Sequence, residues 1–268
     1  MASRAHSGGS LRRYLLATGL LAACSTAVSA QDAQIEVNPN RPTFASPSLT
    51  TQSGVAEVEL GVQRTLLRDR STAFSTPTLL KLGLVKDFEL RLSSNGYLRI
   101  TSPGARTASG LADVALGAQW CFVHGGPLGL DMAVQGTHKF ATAGARLGSG
   151  EADNSLGLFA SRDLGKTHVD LNVFETWLGQ ASGSLRQPAG AISVSHGFTE
   201  AWSVGGEVYA LGAYGGNART VSNLWYVARK VSSRLVVDGG VDIGLSQGAQ
   251  RYSVFAGLTY GIGRFRKP

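Results

Sequence analysis

The sequence predicts an all-β protein, a single antiparallel transmembrane β-barrel of about twelve strands. Three observations predict it: apolar and polar residues alternate strictly in segment after segment, the connections between those segments run alternately short and long, and the chain opens on an export-type leader.

In the leader, residues 1–30, Arg4, Arg12 and Arg13 precede an apolar run from Tyr14 to Ala23, the pattern of a secretory signal peptide. Val28-Ser29-Ala30 before Gln31 fits a small-residue cleavage site, whereas Leu21-Ala22-Ala23-Cys24 resembles a lipoprotein box that would leave Cys24 acylated. Cleavage after Ala30 is expected, because a barrel needs no lipid anchor. Three basic residues and no acidic one leave with the leader, so the formal charge falls from +7 to +4. The basicity is then largely an export feature, and a nucleic-acid partner is not expected. Residues 31–53 are expected to be an N-terminal periplasmic segment and residues 54–268 the barrel.

Hydrophobic residues make up 43% of the chain and charged residues only 16%, with 35 glycines. That glycine content is well above the usual share of about 7% and suits a turn-rich β-protein. Beyond the leader no stretch approaches the roughly 18 unbroken apolar residues of a spanning helix. A closed barrel is then the spanning structure left, since backbone polar groups in hydrocarbon must pair among themselves.

Side chains at i, i+2 and i+4 of a strand share one face. Ala56, Val58, Leu60 and Val62 alternate with Glu57, Glu59, Gly61 and Gln63. Leu80, Leu82 and Leu84 alternate with Lys81 and Gly83, and after Val85-Lys86-Asp87 come Phe88, Leu90 and Leu92 against Glu89 and Arg91, the clearest hairpin. Ala112 to Trp120 and Leu128 to Val134 follow, then strands opening at Leu156 and Val169. The remaining five are expected near residues 190–197, 201–211, 221–228, 234–244 and 251–262. Connections near 85–87, 122–127, 163–167, 198–200 and 229–233 read as short periplasmic turns. Those near 66–74, 94–109, 138–150, 178–188, 211–219 and 245–250 read as longer extracellular loops.

The leader, the loop alternation and aromatics at strand ends (Trp120, Trp202, Tyr260) turn the apolar face outward to lipid. The opposite face then lines the lumen, with Glu57, Glu59, Lys81, Glu89, Arg91, Asp113 and Glu207 as the lumen-facing candidates, joined by Asp131, Asp170, Asp238 and Asp242. Mixed signs there suggest neutralising ladders that partly fill a narrow barrel. Glu57, Lys81, Glu89 and Arg91 are the residues expected to affect permeation.

No catalytic constellation stands out. Ser195 and His196 are adjacent on one strand and so point to opposite faces. His124, His138 and His168 fall on different hairpins without ligand spacing, so no metal and no cofactor is expected. Cys121 reads as a small packing residue near a turn. Loop cations Arg68, Arg70, Arg106, Lys139, Arg146, Arg186 and Arg219 either meet lipopolysaccharide or acidic solutes or are simply solvated.

The chain resembles the outer-membrane transporters named for the meta-cleavage pathway of phenol degradation. The resemblance rests on Asn40-Arg41-Pro42-Thr43-Phe44 before the first strand, on Gly83 to Leu92, on Gly110 to Gly117, on Asp170 to Val173 and on Trp202 to Tyr209. One departure is the end, where Phe265-Arg266-Lys267-Pro268 stands in place of a terminal aromatic. The resemblance implies an outer-membrane β-barrel that passes small, often aromatic or apolar, compounds. Taken with the residues, the expectation is a passive channel or transporter of the bacterial outer membrane, reached through the periplasm, with no chemical step. It carries over no site residues. The expected partners are outer-membrane lipid, lipopolysaccharide and a small-molecule solute. Two alternatives stay open: a structural or adhesive barrel with a filled lumen, and a barrel lipid hydrolase needing a serine and a histidine that meet on neighbouring strands.

Overall fold

The computed structural model describes residues 35–266. The leader, its cleavage after Ala30 and the fate of Cys24 lie outside the described residues. Among those described, fifteen strand segments run in chain order: β1 (Val55–Leu66), β2 (Thr72–Ser75), β3 (Thr78–Val85), β4 (Phe88–Ser94), β5 (Tyr97–Thr101), β6 (Ala108–Leu111), β7 (Val114–Val123), β8 (Asp131–Phe140), β9 (Asp153–Leu164), β10 (Thr167–Gly179), β11 (Ser184–Gly197), β12 (Trp202–Leu211), β13 (Thr220–Ser232), β14 (Leu235–Gly244) and β15 (Tyr252–Arg264).

They make a twelve-stave antiparallel barrel, because three staves are each built from two segments and β15 returns to pair with β1 from Leu66↔Tyr252 to Val55↔Arg264. The interrupted staves are β2–β3, β4–β5 and β6–β7, broken at Thr76–Pro77, Asn95–Gly96 and Ala112–Asp113. Pro77 has no N–H to give the ladder. Gly96 sits at φ 61°, where a Cβ would lie 2.2 Å from the Thr76 carbonyl oxygen. Glycine is the residue that fits there. At the second and third breaks the alternation slips by one residue, the signature of a bulge: Leu92 and Leu116 face out on β4 and β7, while beyond the breaks Tyr97, Arg99, Ser109 and Leu111 are the exposed ones.

Outward residues are apolar and inward ones buried. Leu158, Leu171 and Val173 at mid-stave keep 50%, 52% and 51% of their surface exposed, on a barrel wall where only lipid can cover them. Leu80, Leu82 and Leu84 lie on this same face, opposite buried Lys81 and Gly83. Arg229 lies over the Trp202 ring and Arg234 over Tyr260, 5.3 and 5.4 Å from the centroids, at the end of the barrel that carries the short turns 86–87, 165–166 and 233–234. That end is the periplasmic one by the usual asymmetry of such barrels.

Three expectations differ. Segments 94–109 and 178–188, read as loops, carry strand: β5 and the start of β6 make up about half of the first, on either side of a loop at 102–107, and β10 and β11 extend to a short connection at 180–183 in the second. Polar and glycine-rich sequence at a stave end reads as loop although the ladder continues through it. The fifth strand begins at Asp131 rather than Leu128, after a 3-10 turn at Pro127–Gly129. The largest difference concerns the segment before β1, which is hydrogen-bonded inside the barrel instead of lying in the periplasm.

Candidate functional site: a belt inside the lumen

Residues 38–52 form a belt that travels round the inner wall and returns to where it began. Asn40 N and Arg41 N donate to Glu59 Oε1 and Oε2 on β1 (2.8 and 3.0 Å), and Asn38 N reaches Glu57 on the same strand (3.3 Å). The Arg41 guanidinium then crosses to Asp238 on β14, Nε to Oδ2 at 3.2 Å and Nη2 to Oδ1 at 3.1 Å. Phe44 N and Ala45 N donate to the two oxygens of Glu207 on β12 (2.8 and 2.6 Å). Ser46 exchanges both backbone bonds with the Asn172 amide on β10 (2.6 and 3.0 Å). Ser48 N donates to Ser161 Oγ on β9 (2.8 Å), and Gln119 Nε2 on β7 donates to Pro47 O (3.0 Å). Thr51 N ends the circuit on Glu89 Oε2 of β4 (2.7 Å). The strands touched are thus β1, β14, β12, β10, β9, β7 and β4, which is their order round the ring.

A belt in this position must satisfy its backbone without a ladder partner, because an orphaned buried N–H costs about 1–3 kcal/mol. Inward-facing carboxylates and amides supply the acceptors. Charge-assisted N–H···O⁻ bonds are the stronger kind, and each carboxylate spans two successive amides or an amide and a cation. Three inward glycines make room. A Cβ at Gly61 or Gly257, which face each other across β1 and β15, would lie 2.3 or 2.4 Å from Arg41 guanidinium nitrogens. At Gly83 it would lie 2.2 Å from Gln52 O.

Lys81 is fully buried between Glu57 and Glu59, at 3.0 and 2.9 Å, and also donates to the Asn38 carbonyl. Arg91 Nη1 binds Glu89 Oε1 at 3.1 Å and Gln119 Oε1 at 2.7 Å. On the apolar side Phe44 stacks on Tyr209, with centroids 5.2 Å apart, and meets the edge of Phe174 at 5.4 Å; Phe174 in turn contacts Phe159. Cys121 packs with Ala133 and Phe159, as a small buried side chain would.

The belt divides the interior. An outer chamber of about 690 Å³ lies toward the long loops, and an inner one of about 400 Å³ toward the short turns. Arg41 and Thr43 line both, so residues 41–45 form the partition. Of the seven lumen-facing candidates, Glu59, Arg91 and Asp113 line the outer chamber. Glu57, Lys81 and Glu89 are sealed behind the belt, each at most 1% exposed, and Glu207 is occupied by it. Asp113 sits at the outer mouth, 3.4 Å from Lys139 and accepting from Ala143 N.

No family model matches the chain, and neither does any curated protein. Its fold is similar to that of an outer-membrane channel from Pseudomonas putida F1, with a TM-score of 0.63, 12% identity, and coverage of 85% of this chain and 100% of that one. The NanC porin follows with a TM-score of 0.54, 10% identity, and coverage of 76% and 98%. This is the barrel fold of the bacterial outer membrane, and the outward apolar surface fits the chain to that membrane.

Histidines take local roles. His124 Nε2 is 3.0 Å from Asp87, His138 Nδ1 2.8 Å from Asn154, and His196 Nδ1 2.9 Å from Thr167 Oγ1. His168 lies near a serine: Ser161 Oγ donates to Asp170 Oδ1 at 2.6 Å, and His168 Nε2 is 3.0 Å from the same oxygen. The carboxylate stands between imidazole and hydroxyl, so this is not a nucleophile–base contact.

The belt residues and their sockets Asn172, Ser161 and Gln119 escape a reading based on periodicity. Two signals could have found them: more acidic than basic side chains at inward positions, and glycine at the inward positions 61, 83 and 257.

Proposed function

We propose that the protein is a gated passive channel for small molecules, in which the belt is the gate. The observation that carries this is the division of the lumen by residues 41–45 into two chambers, each within the roughly 300–1,000 Å³ range of small-ligand sites. A solute enters the outer chamber by diffusion and crosses when the belt shifts. The chemistry of that chamber supports compounds that are mainly apolar or aromatic with a polar group. Phe44, Tyr209, Leu79, Leu98 and Leu224 line it, beside an Asp242 Oδ1 and an Asn40 Nδ2 without hydrogen-bond partners among the described residues. The resemblance to the transporters named for phenol degradation supports the same class. No step in this reading makes or breaks a covalent bond.

The belt's dense anchoring favours a second reading, a structural barrel whose lumen stays shut. One experiment separates them. Ser48 Oγ and Ser161 Oγ are 3.0 Å apart, so cysteines at both positions, in a Cys121→Ala background, are placed to form a disulfide between belt and wall. The gated channel conducts and passes small aromatics into liposomes when reduced and closes when oxidised. A barrel equally silent in both states supports the structural reading, and equal conductance in both states overturns the gate.

A further inference from the structure

We propose that the outer wall at β1, β2 and β5 carries a binding site for the phosphate of an outer-leaflet glycolipid, built from Arg64 and Arg99. Parity puts Arg64 on the lipid-facing side of β1, following Leu60 and Val62, two residues before the extracellular end of the strand. Arg99 reaches the same face through the bulge at Asn95–Gly96. Had the alternation of Leu90 and Leu92 continued, residue 99 would point into the lumen, but the slip turns Tyr97, Arg99 and Thr101 outward.

Cross-strand register then sets the two arginines in one row, Arg64 opposite Phe74 and Phe74 opposite Arg99. Two strand spacings separate them, about 10 Å, a gap that two long side chains can close over a single anion. Between them lies a cleft of about 460 Å³ lined by Thr72, Phe74, Tyr97 and Thr101. No carboxylate lines it, and neither arginine has an acidic partner among the described residues. Asp69, in the turn that joins β1 to β2, is engaged with Ser71.

A guanidinium facing outward on a barrel wall is costly in hydrocarbon, and the cost fades only near the interface. Two of them side by side repel, so the arrangement calls for an anion at that depth. On the extracellular side the membrane offers one in fixed supply, a phosphomonoester on a glycolipid headgroup. Its oxygens match the planar donor fork of arginine, the threonine hydroxyls add donors, and Phe74 and Tyr97 suit the start of an acyl chain. Loop cations such as Arg219 sit beyond the wall and do not share this cleft.

The test uses the refolded mature barrel in detergent, with native mass spectrometry to count bound diphosphoryl lipid A and a heat-modifiability gel to confirm folding. Expected is retention by the native protein and a loss of affinity of at least about tenfold in R64Q/R99Q, as removal of a charge-assisted hydrogen bond implies. R219Q should bind as the native protein does. Should the double variant fail to fold, Arg64→Lys and Arg99→Lys keep the charge while losing the fork, and each should bind more weakly than native. Equal binding of chemically dephosphorylated lipid A, or native-like binding by the variants, overturns the proposal. Full competition by millimolar inorganic phosphate would make the site one for a free anion and overturns the lipid assignment. Because none of these readouts involves conduction, the outcome stands apart from that of the gate.

Discussion

Arg41 and Asp238 are 197 positions apart in sequence and joined by a two-pronged ion pair, Nε to Oδ2 and Nη2 to Oδ1, that pins the belt to the far side of β1. The pair lies over a floor from which side chains are missing, Gly61 and Gly257, and the first Cβ placed on that floor collides with the guanidinium. One salt bridge therefore depends on two residues that make no polar contact with it.

That dependence can be measured. Asp238→Asn should weaken the local hold on the belt by about 3 kcal/mol, the low end for breaking a buried pair, because the Arg41 side chain keeps 14% exposure. Gly61→Ala should displace the guanidinium without touching either charge, by a smaller amount because the end of a long side chain can swing aside, and the double variant should be no worse than Asp238→Asn alone. Hydrogen exchange at the Asn40 and Arg41 amides reports it: both should exchange faster in each variant while wall amides of β9 and β10 stay protected. Additive effects would show that Gly61 acts elsewhere.

Glu207 offers a sharper comparison, since its two oxygens accept from Phe44 N and Ala45 N. Glu207→Ala orphans both donors, at about 1–3 kcal/mol each, whereas Glu207→Gln retains one acceptor oxygen and should lose less. In planar bilayers the alanine variant should show larger and more frequent opening than glutamine, and glutamine more than native. An alanine variant as quiet as native would mean that the belt does not need this socket to stay shut.

Membrane facing is tested from outside. Leu158, half exposed at the middle of β9, should cost about 2–4 kcal/mol when changed to arginine at the bilayer midplane. Gln247→Arg, in the 245–251 connection, should be neutral. Urea titration of the barrel folded into vesicles gives both values, and a neutral Leu158→Arg would move β9 out of hydrocarbon.

The barrel wall was legible in the sequence because period-two alternation survives in every stave, and a shift of one residue would exchange the two faces. The breaks at Thr76–Pro77, Asn95–Gly96 and Ala112–Asp113 were not legible. A bulge reverses parity in a few residues, and polar residues on both sides of it read as loop. Hence Arg99 carried no facing until the ladder was seen. The belt was hidden for another reason: its contacts run through backbone N–H groups, which every residue except proline has, so residues 38–52 leave no pattern of their own. Its trace lay in the wall, where Glu59, Glu207 and Asp238 have too few cations on neighbouring strands to match them.

Asp242 follows from the same excess of acid. Tyr209 donates to its Oδ2 at 2.7 Å, its Oδ1 has no partner among the described residues, and no cation pairs with it although it lines the outer chamber. Asp113, in the same chamber, is matched by Lys139, which Asp153 also holds at 2.7 Å. The two carboxylates should therefore differ in what they do to a passing ion. Reversal potentials under a salt gradient give the comparison: Asp242→Asn should move the permeability ratio toward anions, because it removes the chamber's unmatched negative charge. Asp113→Asn should change the ratio much less, since Lys139 keeps Asp153. If Asp242→Asn leaves the ratio unchanged while Asp113→Asn moves it, the ion path runs past the outer mouth without sensing Asp242, and the wall between β12 and β14 does not border the route.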